Sequence, residues 1–92
     1  MPKLNKVYRL YTQEKPNLAE LAGKYFPHGF TILFGTGYYE GSAECCNVIE
    51  IVTHDAWSQC KLVHALANDI RVINDQKAVL ITEHTINGYI VS

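Results

Sequence analysis

The chain reads as an α+β domain with the element order β-α-β-β-α-β, and three observations predict it. Short runs rich in Val, Ile, Tyr and Leu recur at Lys6 to Thr12, Phe30 to Phe34, Cys45 to Thr53 and Ala78 to Glu83, with the composition and length of strands. Two stretches between them, after Asn17 and after Asp55, place apolar residues at helical spacing instead. The resulting halves are each strand, helix, strand, and each is about forty residues long. That repeat is the split βαβ, or ferredoxin-like, arrangement, in which two helices cover one face of a four-stranded antiparallel sheet. The 92 residues suffice for one domain, 1–92, near the lower limit for a self-sufficient core.

Each element has a local reason. Pro16-Asn17 starts the first helix, with Asn17 as N-cap and Glu20 three residues on as its reciprocal partner. Leu18, Leu21, Ala22, Tyr25 and Phe26 form its apolar stripe, and Pro27-His28-Gly29 stops it. Gly35 to Gly41 reads as a glycine- and tyrosine-rich loop closing the second strand. Asp55 caps the second helix, whose inward stripe is Ala56, Cys60, Val63, Ala67 and Ile70, widened by Leu66 and Ile73. Asn74-Asp75 ends it. Asn87-Gly88 predicts a tight turn before a terminal segment, Tyr89 to Val91.

The totals exclude several classes. A formal net charge of −1, with eight scattered basic residues, argues against nucleic acid as the partner, since phosphate binding needs clustered Lys and Arg. Three cysteines without a C-x-x-C fit reduced thiols of the cytosol better than a disulfide framework. No apolar run reaches the ~18 residues of a membrane span, and the start, Met-Pro-Lys-Leu-Asn-Lys, lacks the apolar stretch of a secretory leader. His28, His54, His64 and His84 have no ligand-like spacing, so no metal site is expected. Ser42 and Ser58 have no base at nucleophile spacing, and Trp57 reads as a packing or interface residue.

Hydrophobic residues make up 48% of the chain, more apolar surface than a monomer this small readily hides. The strands carry apolar residues on both faces, so the face away from the helices predicts an oligomer, a closed ring of such domains being one solution. On that face falls Glu50. Strand side chains alternate, so Glu50 points with Val48 and Val52 while Ile49 and Ile51 point toward the helices. A carboxylate between two valines needs a positive or hydrogen-bonding partner. It is either one half of a plain strand pair, with Arg9 or Lys6, or a receptor for a cationic ligand. The Gly35-x-Gly37-Tyr38-Tyr39-Glu40-Gly41 segment lacks the third glycine and following helix of a dinucleotide fingerprint. It reads as a loop or bulge ending the second strand, or as a loop bringing backbone N–H groups and tyrosine rings to a ligand.

The segment from 35 to 82 resembles the phage-encoded S-adenosylmethionine lyases, formerly called SAM hydrolases. The matching elements are Thr36-Gly37-x-Tyr39, the glutamate at 50 eleven residues later, the strand Ile49-x-Ile51, the helix from Asp55-Ala56 to Leu66-Ala67-Asn68, and Ala78-Val79-Leu80-Ile81-Thr82. The resemblance implies a cytoplasmic homotrimer, in the infected host, that cleaves S-adenosylmethionine at subunit interfaces without cofactor or metal. It implies Glu50 and Tyr39 as catalytic, with Tyr38, Gly37, Val48 and Val52 binding substrate. Two adjacent tyrosines leave Tyr38 or Tyr39 open as the one facing the substrate, and the spacing favours Tyr39. The rivals are a trimeric PII-like nucleotide-binding regulator, a structural assembly domain in which Glu50 merely pairs with Arg9, and a hydrolase using water on the same substrate.

Overall fold

The computed structural model describes residues 3–92; Met1 and Pro2, part of the start read above for a leader, lie outside it. Six elements follow in order: β1 (Leu4–Gln13), α1 (Leu18–Tyr25), β2 (Thr31–Tyr39), β3 (Ser42–Thr53), α2 (Trp57–Ile73) and β4 (Leu80–Gly88). The strands form one antiparallel sheet in the order β2-β3-β1-β4, which is the predicted ferredoxin-like topology.

The core lies on one side of this sheet. Tyr8, Leu10, Ile49 and Ile51 present one face of the central strands to Leu18, Leu21, Ala22 and Phe26 from α1 and its end, and to Val63, Leu66, Ala67 and Ile70 from α2. The predicted stripes therefore hold, with one exception. Ile73 is exposed, because α2 ends there and turns away through Asn74-Asp75. At the far end of the core, Gln76 is buried and exchanges hydrogen bonds with the Thr12 hydroxyl at 2.8 and 3.0 Å.

Both helix starts differ from expectation. Asn17 occupies the N-cap position, but its side chain makes no capping bond. It trades amide hydrogen bonds with Asn74 instead, at 2.9 and 3.1 Å, tying the start of α1 to the end of α2. Ala56, not Asp55, is the residue at the start of α2. The Asp55 N–H donates to the Asn5 side-chain oxygen at 2.6 Å, which anchors the β3–α2 connection to β1.

The largest departures are at the strand ends. The glycine- and tyrosine-rich segment is not a loop: it continues β2 to Tyr39 and pairs with β3 from Ser42. Only Glu40 and Gly41 connect them, both at positive φ (48° and 83°), the backbone of a two-residue type I′ turn. Asn87-Gly88 is likewise not a turn. β4 runs through it, and Gly88 pairs with Leu4. A Cβ at Gly88 would lie 2.8 Å from the Leu4 carbonyl oxygen, so glycine is required there by the close approach of β1.

Two expected outcomes follow. Gly88→Ala should destabilise the fold by about 1–3 kcal/mol, the range for overpacking a tight site, with Gly35→Ala near neutral because its Cβ meets nothing closer than 3.5 Å; denaturant unfolding measures both. Burial pushes the Tyr8 phenol up to about 12, and neighbouring Cys60, Glu83 and Asp55 add to the shift. A raised folded-state value means that this stabilisation is full below pH 10 and is lost as pH climbs toward 12. Thermal melts across that window should show the decline, and Tyr8→Phe should flatten it.

Candidate functional site

The helix-free face of the sheet is ordered in rows by the strand register. Thr31, Glu50, Arg9 and Thr82 lie side by side across all four strands. Leu33, Val48, Tyr11 and Leu80 form the next row in one direction, and Val52, Val7 and His84 lie in the other. A single polar row thus crosses a mainly apolar surface. Leu33, Tyr11, Leu80 and Val52 are all exposed on it. Neither helix covers it, since both pack on the opposite face, although Val7 within it is buried.

Glu50 has a partner at the centre of that row. The Arg9 Nε–H donates to Glu50 Oε2 at 2.9 Å, and the two side chains are 37% and 26% exposed. Of the sequence-level alternatives, the strand pair with Arg9 is therefore present, while Lys6 points to the helix side and bridges Glu83 at 3.2 Å. The pair does not use all the capacity of the carboxylate, since Oε1 accepts no hydrogen bond among the described residues. Beside Arg9, the Thr82 hydroxyl oxygen is buried without a partner. A half-shielded anion with a spare oxygen, held in place by a cation, can receive a further donor such as an ammonium.

Register puts the two tyrosines on opposite faces of the sheet. Tyr39 pairs with Ser42 and Thr31 with Glu50, so residues 31, 33, 35, 37 and 39 share the face of Glu50 and Tyr38 points to the other side. Within one chain, however, Tyr39 and Glu50 are not brought together. Tyr39 lies eight positions along β2 from the register partner of Glu50, about 26 Å of strand.

The tyrosines instead stand at the end of an arm. β1 pairs with β3 only as far as Cys46, so the remainder of the β2–β3 hairpin extends past it as a two-stranded ribbon. Phe34, Tyr38 and Tyr39 along this hairpin are 76, 79 and 72% exposed. Neither Gly35 nor Gly37 has positive φ, and a Cβ at either would meet only ordinary contacts, so nothing inside the chain demands glycine at these positions.

Two grooves adjoin the sheet. One of about 410 Å³, lined by Pro16, Leu18, Ile32 and Phe34, touches none of the predicted site residues. The other, about 650 Å³, opens beside the start of β2 and is bordered by both Glu50 and Val52. No sequence pattern marks it, because its walls come from the α1–β2 connection, the end of β3 and the start of α2. Among the described residues no group of His, Cys, Asp and Glu is placed to hold a metal ion, and no helix is long and apolar enough to cross a membrane.

No family model matches the sequence, and no curated protein matches it significantly. Among solved structures, the chain is similar to a phage SAM lyase in complex with S-methyl-5′-thioadenosine, at a TM-score of 0.69 and 12% identity over 96% of this chain and 93% of that one. A de novo designed protein, Foldit4, aligns at a TM-score of 0.40 and 14% identity over 96% of this chain and 100% of that one. The first likeness shows a shared fold.

The Arg9–Glu50 pair is too exposed to hold the sheet together. A double-mutant cycle of Arg9→Met and Glu50→Gln should give a coupling of about 0.2–1 kcal/mol, as for other partly solvated pairs. Denaturant unfolding of the four proteins checks it.

Proposed function

We propose that the protein is a homotrimeric S-adenosylmethionine lyase, releasing 5′-methylthioadenosine and L-homoserine lactone at sites between subunits. The observation that carries this reading is a glutamate with a spare oxygen at the centre of a helix-free, mainly apolar sheet face. The fold matches, over nearly its whole length, that of a phage SAM lyase bound to methylthioadenosine, which supports it. The proposed setting is the host cytoplasm, as the resemblance implies.

The reaction asks little of a protein beyond conformation. A carboxylate oxygen of the substrate attacks its own γ-carbon and closes a five-membered ring. The carbon–sulfur bond breaks, its electron pair passes to sulfur, and the sulfonium leaves as a neutral thioether with no proton transferred. Positioning alone supplies up to ~7–11 kcal/mol in well-oriented intramolecular systems. In this reading Glu50 holds the α-ammonium through Oε1, so that the substrate carboxylate faces the γ-carbon. Arg9 remains on Oε2 and has a second consequence. A bare carboxylate near the sulfonium would favour the charged ground state over the neutral product and oppose catalysis; the guanidinium offsets that field.

Tyr39 enters from a second subunit. It shares the face of Glu50 but lies too far along the strand to reach it in the same chain, whereas the projecting arm can lay it on a neighbour's sheet. A two-stranded ribbon is marginally stable by itself, which suits an arm that docks. Gly35 and Gly37, without an internal reason to be glycine, suit close approach of that neighbour or the substrate. Gly37, Val48 and Val52 complete the proposed binding surface on that face, while Tyr38 stands on the other side of the arm. The PII-like alternative requires a long loop between the second and third strands, and the connection is two residues, Glu40-Gly41. A hydrolase would use the same site with water as nucleophile.

Incubation of the purified protein with S-adenosylmethionine, followed by mass spectrometry, should yield methylthioadenosine and the lactone. Homoserine without lactone would mean hydrolysis, and unchanged substrate would refute the enzyme reading. Glu50→Gln should lower turnover about 100-fold or more while leaving unfolding midpoint and oligomer intact. Tyr39→Phe should impair turnover more than Tyr38→Phe. Native mass measurement should return three chains per particle.

A further inference from the structure

The larger groove contains a backbone donor and acceptor without partners among the described residues. The β2–β3 ladder stops at Thr31 opposite Glu50, but β3 continues to Thr53 with only β1 beside it. The phase of the hydrogen bonds follows from one contact: the Glu14 N–H donates to the Cys45 carbonyl at 3.3 Å. Gln13 lies opposite Cys46, so Glu14 and Cys45 are directly opposed and form a hydrogen-bonded pair. Odd-numbered residues of β3 therefore bond to β1, and even-numbered ones direct N–H and C=O toward β2. Beyond Glu50 the next even residue is Val52. Register would set Gly29 against it, but the chain has left the sheet there and the Gly29 N–H donates to the Phe26 carbonyl at 3.2 Å. Among the described residues, nothing bonds to the main chain of Val52 on that side.

That pair of groups faces about 650 Å³ of space lined by Tyr25, Phe30, Leu62 and Ile90, with Glu50 at its border. The Tyr25 hydroxyl donates to the Asp69 carboxylate, which holds one aromatic wall against α2. The volume and the apolar lining with a few convergent polar groups are those of small-molecule sites. Val52 is about 7 Å along the strand from Glu50, leaving room for a sugar between a group at one and an ammonium at the other. A second strand adding to this edge would find only one residue to pair with. A flat heterocycle with a donor beside an acceptor needs no more.

The geometry points to this groove as the subsite for the adenine base, with the Val52 N–H donating to a ring nitrogen and the Val52 carbonyl accepting from the exocyclic amino group. The inference rests on the lyase reading and deepens it: Val52 contributes its main chain rather than its side chain, and adenine is selected over oxo-purines. In hypoxanthine the amino donor becomes a carbonyl acceptor, which would face the Val52 carbonyl and leave it unsatisfied.

The test compares 5′-methylthioadenosine with 5′-methylthioinosine by calorimetry on the full chain, and follows the backbone amides by NMR during each titration. The expected result is binding of the adenosine at least tenfold tighter, with the Val52 amide among the largest shifts. Equal affinities, or shifts confined to residues away from the groove, would overturn the subsite while leaving turnover of S-adenosylmethionine, and so the lyase reading, intact. Binding of neither nucleoside together with unchanged S-adenosylmethionine would overturn both.

Discussion

Everything distinctive about this molecule follows from packing both helices on the same side of a four-stranded sheet. The central strands must then supply Leu10, Ile49 and Ile51 to the core from alternate positions, all of them fully or almost fully buried. The intervening positions are committed to the other face by the pleat alone. There the chain places Leu33, Val48, Tyr11, Leu80 and Val52, with no helix to cover them, and crosses them with one polar row. A sheet with two apolar faces and one helical layer leaves one of those faces uncovered by helices. This exposure makes the centre of the row, the Arg9–Glu50 pair, a candidate for more than a surface ion pair.

The element order and the two faces were legible in the sequence because each rests on local periodicity. The spacing of Leu18, Leu21 and Ala22, and of Val63, Ala67 and Ile70, is helical and marks the buried stripes directly. The alternation around Glu50 assigns its face without any tertiary information. What escaped was decided by partners remote in sequence. Asn17 carries the right side chain for a cap, but Asn74, brought beside it by the packing of α1 on α2, competes for the same amide. Asn87-Gly88 carries the composition of a turn, yet glycine is there because β1 passes close to it.

The hairpin illustrates the opposite error. Gly35, Gly37 and Gly41 weaken strand propensity, so the segment reads as a loop, although Tyr38, Tyr39 and Thr36 are good strand residues. The deciding feature is Glu40-Gly41. Glutamate is an uncommon occupant of a positive-φ turn position, and the Asn-Gly or Asp-Gly signal of a type I′ turn is missing. The groove was invisible for a further reason. It is formed where β2 fails to follow β3, and an absent pairing leaves no mark on composition.

The two-residue turn also governs the chemistry proposed for the face. A one-residue slip between β2 and β3 would exchange the faces of every side chain on β2, placing Tyr38 and Phe34 with Glu50 and moving Tyr39 to the helix side. Two features hold the observed register. The positive φ values at Glu40 and Gly41 close the ladder at Tyr39 opposite Ser42. Asn47, 2% exposed, points to the helix side and its amide donates to the Leu33 carbonyl at 3.4 Å, a bond that belongs to this register. The same register ends the ladder at Thr31 opposite Glu50 and so determines which main-chain groups are left facing the groove. One pairing phase thus selects the tyrosine that shares the glutamate's face and leaves Val52 as the unpaired residue beside it, so the two proposed parts of the site stand or fall with the same strand alignment.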